Sequence, residues 1–218
     1  MVLSRLGEAY GPVEWRPRMD ALNELIFTVL TQHTSDLNAE RAYREMRRRY
    51  PSWQDVMAAP TPDLADAIRS GGLADQKAPR IQQILAVVQG RTGGLDLAFL
   101  GTMSLEAAKE WLRELPGVGP KTAAVVLAFS LGMPAMPVDT HIHRVAGRLG
   151  LITKKTTADQ AHDVLESIVR PEDRFAFHVL LITHGRRTCK ALRPRCGECA
   201  LREPCPARPK FEAALLRD

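Results

Sequence analysis

One stretch near the middle of the chain constrains the fold more than any other. Residues Lys121 to Leu131 are apolar on nearly every side, and a helix of that kind is stable only when other helices surround it. Gly117 and Gly119 lie just before it; both can adopt positive φ and expose bare backbone N–H groups, and Pro120 suits the first position of a helix. We therefore expect a turn able to hold a phosphate, followed by a buried central helix.

The rest of the chain is also helical in its patterning. Asn-Gly and Asp-Gly hairpin signals are absent from the sequence, and alternating β-branched runs are few. The apolar periodicity predicts an all-α fold with helices over 20–30, 38–50, 62–70, 77–89, a stretch opened by Ser104, 121–131, 140–149, 158–169 and 174–184. The proline-spaced linker 132–137 indicates a boundary between two lobes.

Basic residues are concentrated near the C-terminus. The chain has 218 residues and a net charge of +5, but Arg186 to Lys210 alone holds eight basic residues against two acidic ones. Such a segment is either a solvated face or a phosphate-contacting surface, and the lack of an amphipathic apolar stripe favours nucleic acid over a membrane. Because the sequence shows neither a signal peptide nor a membrane-spanning apolar run, we expect a soluble cytoplasmic protein.

Lys121 is a possible nucleophile. At the start of a buried helix, the helix dipole and partial desolvation both disfavour the ammonium form. A neutral amine forms Schiff bases with aldehydic carbons, such as that of an opened deoxyribose. Taken alone, a lysine here is more often a surface residue at a helix start.

Asp139 is the carboxylate nearest to this turn in the following segment, Val138-Asp139-Thr140-His141. It is well placed to cap the helix that it precedes. A carboxylate held by backbone N–H groups stays ionised, so it can also stabilise positive charge on a sugar ring or accept a proton. The two roles are compatible.

The four cysteines of the chain are clustered with the spacing C-x6-C-x2-C-x5-C, at Cys189, Cys196, Cys199 and Cys205. In a cytoplasmic protein such a cluster indicates a metal site rather than disulfides. From the spacing alone, four thiolates serve either zinc or an iron–sulfur cluster.

Together these segments resemble the helix-hairpin-helix DNA glycosylase superfamily, and within it the endonuclease III family, over about residues 20–205. Residues 115–123 resemble the hairpin with its catalytic lysine, which implies this role for Lys121. Residues 138–145 resemble the segment with the catalytic aspartate, which implies Asp139, and His141 matches a supporting position beside it. The cysteine spacing is that of the family's [4Fe–4S] cluster, which implies all four cysteines as its ligands.

The resemblance also implies contacts with DNA. These are expected from the hairpin turn and from the basic loop between the first two cysteines: Gly117, Val118, Gly119, Lys190, Arg193 and Arg195. The cluster then has a structural role, because it shapes that loop.

A glycosylase must fill the gap left by a flipped nucleotide. Residues 31–36 and 72–74 resemble the segments that enter the duplex, which implies Gln32, His33 and Leu73 as candidates. The alternative interpretation of each is an ordinary loop residue or a polar residue at a helix end. His33 stands where many relatives have the inserting glutamine, and Gln32 lies one residue earlier, so the sequence leaves open which of the two enters.

The resemblance implies two helical lobes. A six-helix barrel, residues 14–133, contains the hairpin at about 105–131, and an iron–sulfur lobe consists of residues 1–13 and 134–218. Duplex DNA with damaged bases or abasic sites is expected in the cleft between them, with Lys121 and Asp139 on its two sides. We expect a monomer that acts on the bacterial nucleoid.

The implied activity is that of a bifunctional glycosylase and abasic-site lyase for oxidised pyrimidines. Monofunctional mismatch and adenine glycosylases lack the lysine, and the thirteen residues after Cys205 leave no room for the further C-terminal domain of adenine glycosylases. A DNA-binding helix-hairpin-helix protein without catalysis would need Gly117, Gly119 and the basic tail, but not Lys121 and Asp139 together.

Overall fold

The computed structural model describes residues 1–215, with side chains up to residue 212. Within this range the chain forms α-helices joined by turns and short 3-10 helices, and it contains no β-strand. The predicted all-α class is confirmed. None of the helices in this range is both long and apolar enough to cross a membrane.

The α-helices of the described residues are α1 (Val2–Tyr10), α2 (Ala21–Thr31), α3 (Asp36–Arg49), α4 (Trp53–Ala58), α5 (Thr61–Ala67), α6 (Ala74–Thr92), α7 (Leu105–Arg113), α8 (Pro120–Ser130), α9 (Thr140–Arg148), α10 (Ala158–Ile168), α11 (Arg174–Arg187) and α12 (Arg208–Leu215). The 3-10 helices are Arg69–Gly71, Ala98–Thr102, Pro171–Asp173 and Cys196–Glu198. Helices α1, α4 and α12 have no counterpart among the predicted ones.

The chain divides into two compact units. One is the continuous stretch Pro17–Met133, which holds α2 to α8. The other combines Met1–Arg16 with the chain from Pro134 onwards and holds α1 and α9 to α12. The division into a barrel lobe and a cluster lobe with the limits given above stays a prediction.

Helix α8 is the buried centre of the Pro17–Met133 unit. Its residues from Thr122 to Ala128 are all buried, and α2 packs along it. Asp20 caps α2 by accepting a hydrogen bond from the amide of Asn23 (2.9 Å), which fixes where α2 begins. The expectation of a central helix surrounded by others is therefore confirmed for α8.

Arg18 and Glu24 form an ion pair beside α8. Glu24 is fully buried and accepts from the Arg18 guanidinium, with Nε at 2.8 Å. The same guanidinium lies 5.2 Å from the ring centre of Phe27 and 5.1 Å from that of Phe129. A buried carboxylate is tolerated only when it is paired in this way.

The second unit has its own core. Leu6 from α1, Ile142 and Val145 from α9, and Leu181 from α11 are all buried in one apolar cluster. Burial of this kind contributes about 25 cal/mol for each Å² of apolar surface removed from water. Helix α9, which Asp139 precedes, is therefore anchored on one face by the core of this unit.

Candidate functional site

The turn between α7 and α8 forms the predicted hairpin. Gly117 has φ 70°, a conformation that favours glycine, whereas Gly119 has φ −95° and does not need the glycine's freedom. The amide of Val118 is used within the turn, where it donates to the carbonyl of Leu115 (3.1 Å). Gly119 is the N-cap of α8 and has no side chain to accept from the first turn, so the first amides of α8 are left for an external acceptor such as a phosphate.

Lys121 is the second residue of α8 and its side chain is exposed, while the following Thr122 is buried. The partial desolvation expected from the sequence is not observed, because the lysine lies on the one side of the first turn that the packing leaves open. Its amine is accessible to a ligand.

The three residues expected to enter DNA lie on two loops of the same unit. Gln32 ends α2 and is half-buried, whereas His33 and Leu73 are exposed. His33 has φ 56° and Leu73 has φ 51°, and they are the only residues other than glycine with positive φ within residues 1–215. Such a conformation costs about 1–3 kcal/mol in a residue with a side chain, so the surrounding structure must hold both residues in place.

A buried lysine, which the sequence pattern did not single out, joins these two loops. Lys77 of α6 is 1% exposed, and its Nζ donates to the carbonyls of Leu30 and Gly71, both at 2.8 Å. The first carbonyl is near the C-terminus of α2 and the second lies before Leu73. The ammonium thus supplies the hydrogen bonds that neither helix end could make internally.

Asp139 is the N-cap of α9 in the second unit. Its Oδ1 accepts from the amide of Ile142 (2.7 Å), which confirms the predicted capping role. The side chain is half-buried, and its second oxygen is not part of the cap.

The extended segment that leads to Asp139 has no strand partner among residues 1–215. Residues 135–138 are buried, so their backbone polar groups need hydrogen bonds from elsewhere. Side chains of α10 and α11 supply them: Arg174 donates to the Pro134 carbonyl (2.6 Å), Glu166 accepts from the Met136 amide (2.9 Å), His162 donates to the Met136 carbonyl (2.8 Å) and His178 donates to the Pro137 carbonyl (2.8 Å). These four residues fix the position of Asp139.

His141 and His184 make structural contacts. His141 accepts at Nδ1 from Arg144 (3.1 Å), which also donates to the carbonyl of Gly185 (2.9 Å). His184 is 1% exposed and is bonded to the Tyr10 hydroxyl (2.9 Å). Burial lowers the pKa of His184 to about 4, so this imidazole is neutral in the folded protein.

The four cysteines come together in the second unit. All four are half-buried free thiols, and they line one cavity with Arg148, His184 and Phe211. Among residues 1–215, no three His, Cys, Asp or Glu side chains meet closely enough to hold a single metal ion.

Arg148 organises the loop after the first cysteine. It donates to the carbonyls of Lys190 and Ala191, both at 2.7 Å, and to Cys189 Sγ at 3.3 Å. The loop is closed at its other end, where the Arg195 amide donates to the Thr188 carbonyl (2.9 Å). Lys190, Arg193 and Arg195 are all exposed on it.

The thiols of the four cysteines suit a centre that contains several metal cations. Burial raises the pKa of the Cys196 thiol, and the neighbouring charges of Cys189 and Cys205 raise it further. Burial also raises the pKa of the Cys199 thiol, with an opposing hydrogen bond from the Leu201 amide. Thiolates that repel one another in this way need bound cations to replace their protons, as an iron–sulfur cluster would supply.

The helical fold, the glycine hairpin and the lysine that follows it define a helix-hairpin-helix protein. The profile of the HhH-GPD superfamily of base excision DNA repair proteins matches residues 26–171, and the chain belongs to this superfamily.

Relatives within it include endonuclease III. That of Thermotoga maritima is 36% identical over 85% of this chain and 83% of its own length. That of Bacillus subtilis is 33% identical over 93% of this chain and 89% of its own length. A protein of Arabidopsis thaliana named as a DNA glycosylase is 37% identical, but the match spans only 56% of its length. The resemblance to the endonuclease III family is confirmed.

Comparison with solved structures gives the same family. An endonuclease III trapped as a covalent intermediate with DNA has a TM-score of 0.83 and 29% identity, covering 96% of this chain and 94% of that one. A non-covalent endonuclease III–DNA complex also has a TM-score of 0.83, with 28% identity over 99% and 95% of the two chains.

Proposed function

We propose that the protein is a DNA glycosylase with abasic-site lyase activity, which removes oxidised pyrimidines from duplex DNA in the cytoplasmic nucleoid. One observation carries this proposal: Lys121 is exposed at the start of α8, directly after a turn whose free amides suit a phosphate. The membership in a base excision repair superfamily and the endonuclease III relatives support it.

Lys121 acts as the nucleophile. The lone pair of its Nζ attacks C1′ of the flipped nucleotide, the bond from C1′ to the base nitrogen breaks, and the base leaves with the electron pair and takes up a proton. Loss of a proton from nitrogen and opening of the sugar ring give a Schiff base. Removal of a C2′ proton then expels the 3′ phosphate, which nicks the strand, and water releases the lysine.

Asp139 stabilises the positive charge that develops on the sugar as the base departs. Its Oδ1 is held by the Ile142 amide, which leaves the other oxygen for the reaction. The four side chains that hold residues 134–138 act as positioning residues for this carboxylate.

The four cysteines would hold a [4Fe–4S] cluster. When bound, the cluster supplies cations that neutralise the thiolates and fix the fold around them. The exposed Lys190, Arg193 and Arg195 then contact DNA phosphates, together with the amides of Gly117 and Gly119. The Val118 amide is already bonded to the Leu115 carbonyl, so Val118 does not donate to DNA through its backbone. Visible absorbance of the purified protein tests for iron–sulfur charge transfer, since a zinc site would be colourless.

Borohydride trapping on an abasic-site duplex tests the assignment of Lys121. The wild-type protein and a control with the exposed Lys155 changed to Ala should give a covalent protein–DNA adduct, and Lys121→Ala should give none. An adduct that persists in a folded Lys121→Ala protein would contradict the role of this lysine.

The alternatives make different predictions for the same substrates. A monofunctional relative would release a base without nicking the strand, and a non-catalytic helix-hairpin-helix protein would bind without doing either. A panel of duplexes with thymine glycol, dihydrouracil, uracil, mismatched adenine and an abasic site separates these outcomes and gives the lesion preference.

A further inference from the structure

One of the four cysteine sulfurs lies against a buried histidine. Cys199 Sγ is 3.6 Å from Nε2 of His184, a separation at which an N–H group can donate to sulfur. His184 is 1% exposed, and the buried side chains of Val145 and Leu201 line the same cavity as the two residues. The contact is therefore shielded from water, and a hydrogen bond in such surroundings is electrostatically stronger than one in solvent.

The other ring nitrogen of His184 is bonded to a helix from the start of the chain. Tyr10 is the last residue of α1, and its hydroxyl lies 2.9 Å from Nδ1 of His184 and 2.9 Å from the hydroxyl of Thr188. The guanidinium of Arg187 lies over the phenol ring, 6.0 Å from its centre. A chain of hydrogen bonds thus runs from Thr188 through Tyr10 and His184 to Cys199.

The direction of these hydrogen bonds follows from the donors and acceptors that are present. A cysteine sulfur that is bonded to iron carries no proton and can only accept. Nε2 of His184 must then bear the hydrogen, which leaves Nδ1 to accept from the Tyr10 hydroxyl. The Thr188 hydroxyl donates to the phenolic oxygen, so every member of the chain has a partner.

We propose that His184 is a positioning residue for the [4Fe–4S] cluster, and that its N–H group, oriented by Tyr10, donates to Cys199 Sγ and makes the cluster harder to oxidise. The inference rests on the proposed binding of this cluster by the four cysteines. A hydrogen bond to a ligand sulfur is stronger when the sulfur carries more negative charge. It therefore favours the reduced cluster over the oxidised one, which has one electron fewer.

His184 is a better residue to test than the donor to the first cysteine. Cys189 Sγ accepts from Arg148 at 3.3 Å, but the same guanidinium also holds the carbonyls of Lys190 and Ala191. Replacing Arg148 would therefore disturb the whole loop. The side chain of His184 bonds to Cys199 and Tyr10, so its replacement affects this chain of hydrogen bonds directly.

The test uses the purified, cluster-loaded protein without DNA. Protein-film voltammetry measures the midpoint potential at which the cluster gives one electron to the electrode. His184→Leu should have a more negative potential. At a fixed applied potential, its ratio of oxidised to reduced cluster should be roughly two- to tenfold higher, as expected for the loss of one net hydrogen bond.

His184→Gln should largely restore the wild-type potential. The amide nitrogen of glutamine is the same number of bonds from Cα as Nε2 of histidine, and it also carries hydrogen for the sulfur.

Tyr10→Phe tests the orientation of the imidazole. It keeps the aromatic ring but removes the donor to Nδ1, so the potential should shift in the same direction as in His184→Leu, by a smaller amount. Tyr50→Phe is the matched control, because it removes a hydroxyl from the Pro17–Met133 unit, and its potential should equal that of the wild type. If His184→Leu holds no cluster, the comparison of Tyr10→Phe with Tyr50→Phe decides.

A wild-type potential in cluster-loaded His184→Leu, or in Tyr10→Phe where that variant decides, would overturn the proposal. A histidine that only packs against Cys199 would alter thermal unfolding but not the potential. Purified wild-type protein without iron or visible absorbance would refute the cluster and this inference together. The expected shifts in a protein that never nicks an abasic site would refute the lyase function and leave the inference standing.

Discussion

Lys77 shows how one residue can determine the geometry of a site that it does not enter. It is almost fully buried, and desolvation lowers its pKa, with the nearby positive charge of Arg80 adding to the effect. Such a position is unusual for a lysine, and it is stable here because two carbonyls accept from the ammonium. The lysine fixes the ends of the two loops that carry His33 and Leu73.

Replacing Lys77 by Met should therefore destabilise the protein. Two buried carbonyls lose their donor, at a cost of about 1–3 kcal/mol in the free energy of unfolding, even though the burial of a charge is relieved. Urea unfolding measures the change, with Lys155→Met as an exposed control that should leave the midpoint unaltered. Equal midpoints for the two variants would show that the ammonium is not needed.

His162 should make stability depend on pH. Burial lowers the pKa of this imidazole below its ordinary 6.5, against the opposing effects of its bond to the Met136 carbonyl and of nearby acids. Below about pH 6.5 the unfolded chain then binds more protons than the folded one. The contribution of neutral His162 to the free energy of unfolding is therefore complete above that pH, and it is lost as the pH falls.

The His162→Gln variant tests this dependence. Glutamine keeps a donor for the Met136 carbonyl but does not titrate, so its urea midpoint should fall less between pH 7.5 and pH 5 than that of the wild type. Parallel curves for the two proteins would assign the pH dependence to other groups.

At the level of elements, the start of α9 combines capping with the proposed chemistry. Asparagine is as good an N-cap as aspartate but carries no charge, so Asp139→Asn should keep the stability and lose base release. Asp139→Ala should lose both, with about 1 kcal/mol less stability. Thermal unfolding and single-turnover base release measure the two effects, and full activity in Asp139→Asn would rule out a role for the charge.

The helices that could be predicted from the sequence are those with a strong local signal. Helices α2, α8 and α11 have strong apolar patterns or clear caps, and their predicted and observed limits differ by only a few residues. Helices α1, α4 and α12 are short, from six to nine residues, and their helical state depends on packing rather than on sequence periodicity.

The candidate site was predictable only in part. Local spacing identifies Lys121, Asp139 and the cysteines, because each belongs to a compact motif. The contacts of Arg80, Lys77 and Arg174 join residues that are 6 to 48 positions apart, and no local pattern specifies them. The exposure of Lys121 likewise depends on which side of α8 the neighbouring helices leave open.

For the whole molecule, DNA affinity should depend on salt through specific basic residues. Replacing Lys190, Arg193 and Arg195 by Gln should reduce the slope of log K against log salt by about 2.7, since each phosphate contact contributes about 0.9. A control that removes three exposed charges of α3, at Arg41, Arg44 and Arg48, should leave the slope nearly unchanged. Equal slopes for the two triple variants would show that only total charge matters.

The segment before Asp139 has a further consequence for solubility. An extended backbone with free N–H and C=O groups is a template on which another chain can form intermolecular β-structure. Here the carbonyls of Pro134, Met136 and Pro137 and the amide of Met136 are already bonded to side chains of α10 and α11. The same contacts that position the carboxylate therefore protect the folded chain from aggregation through this segment.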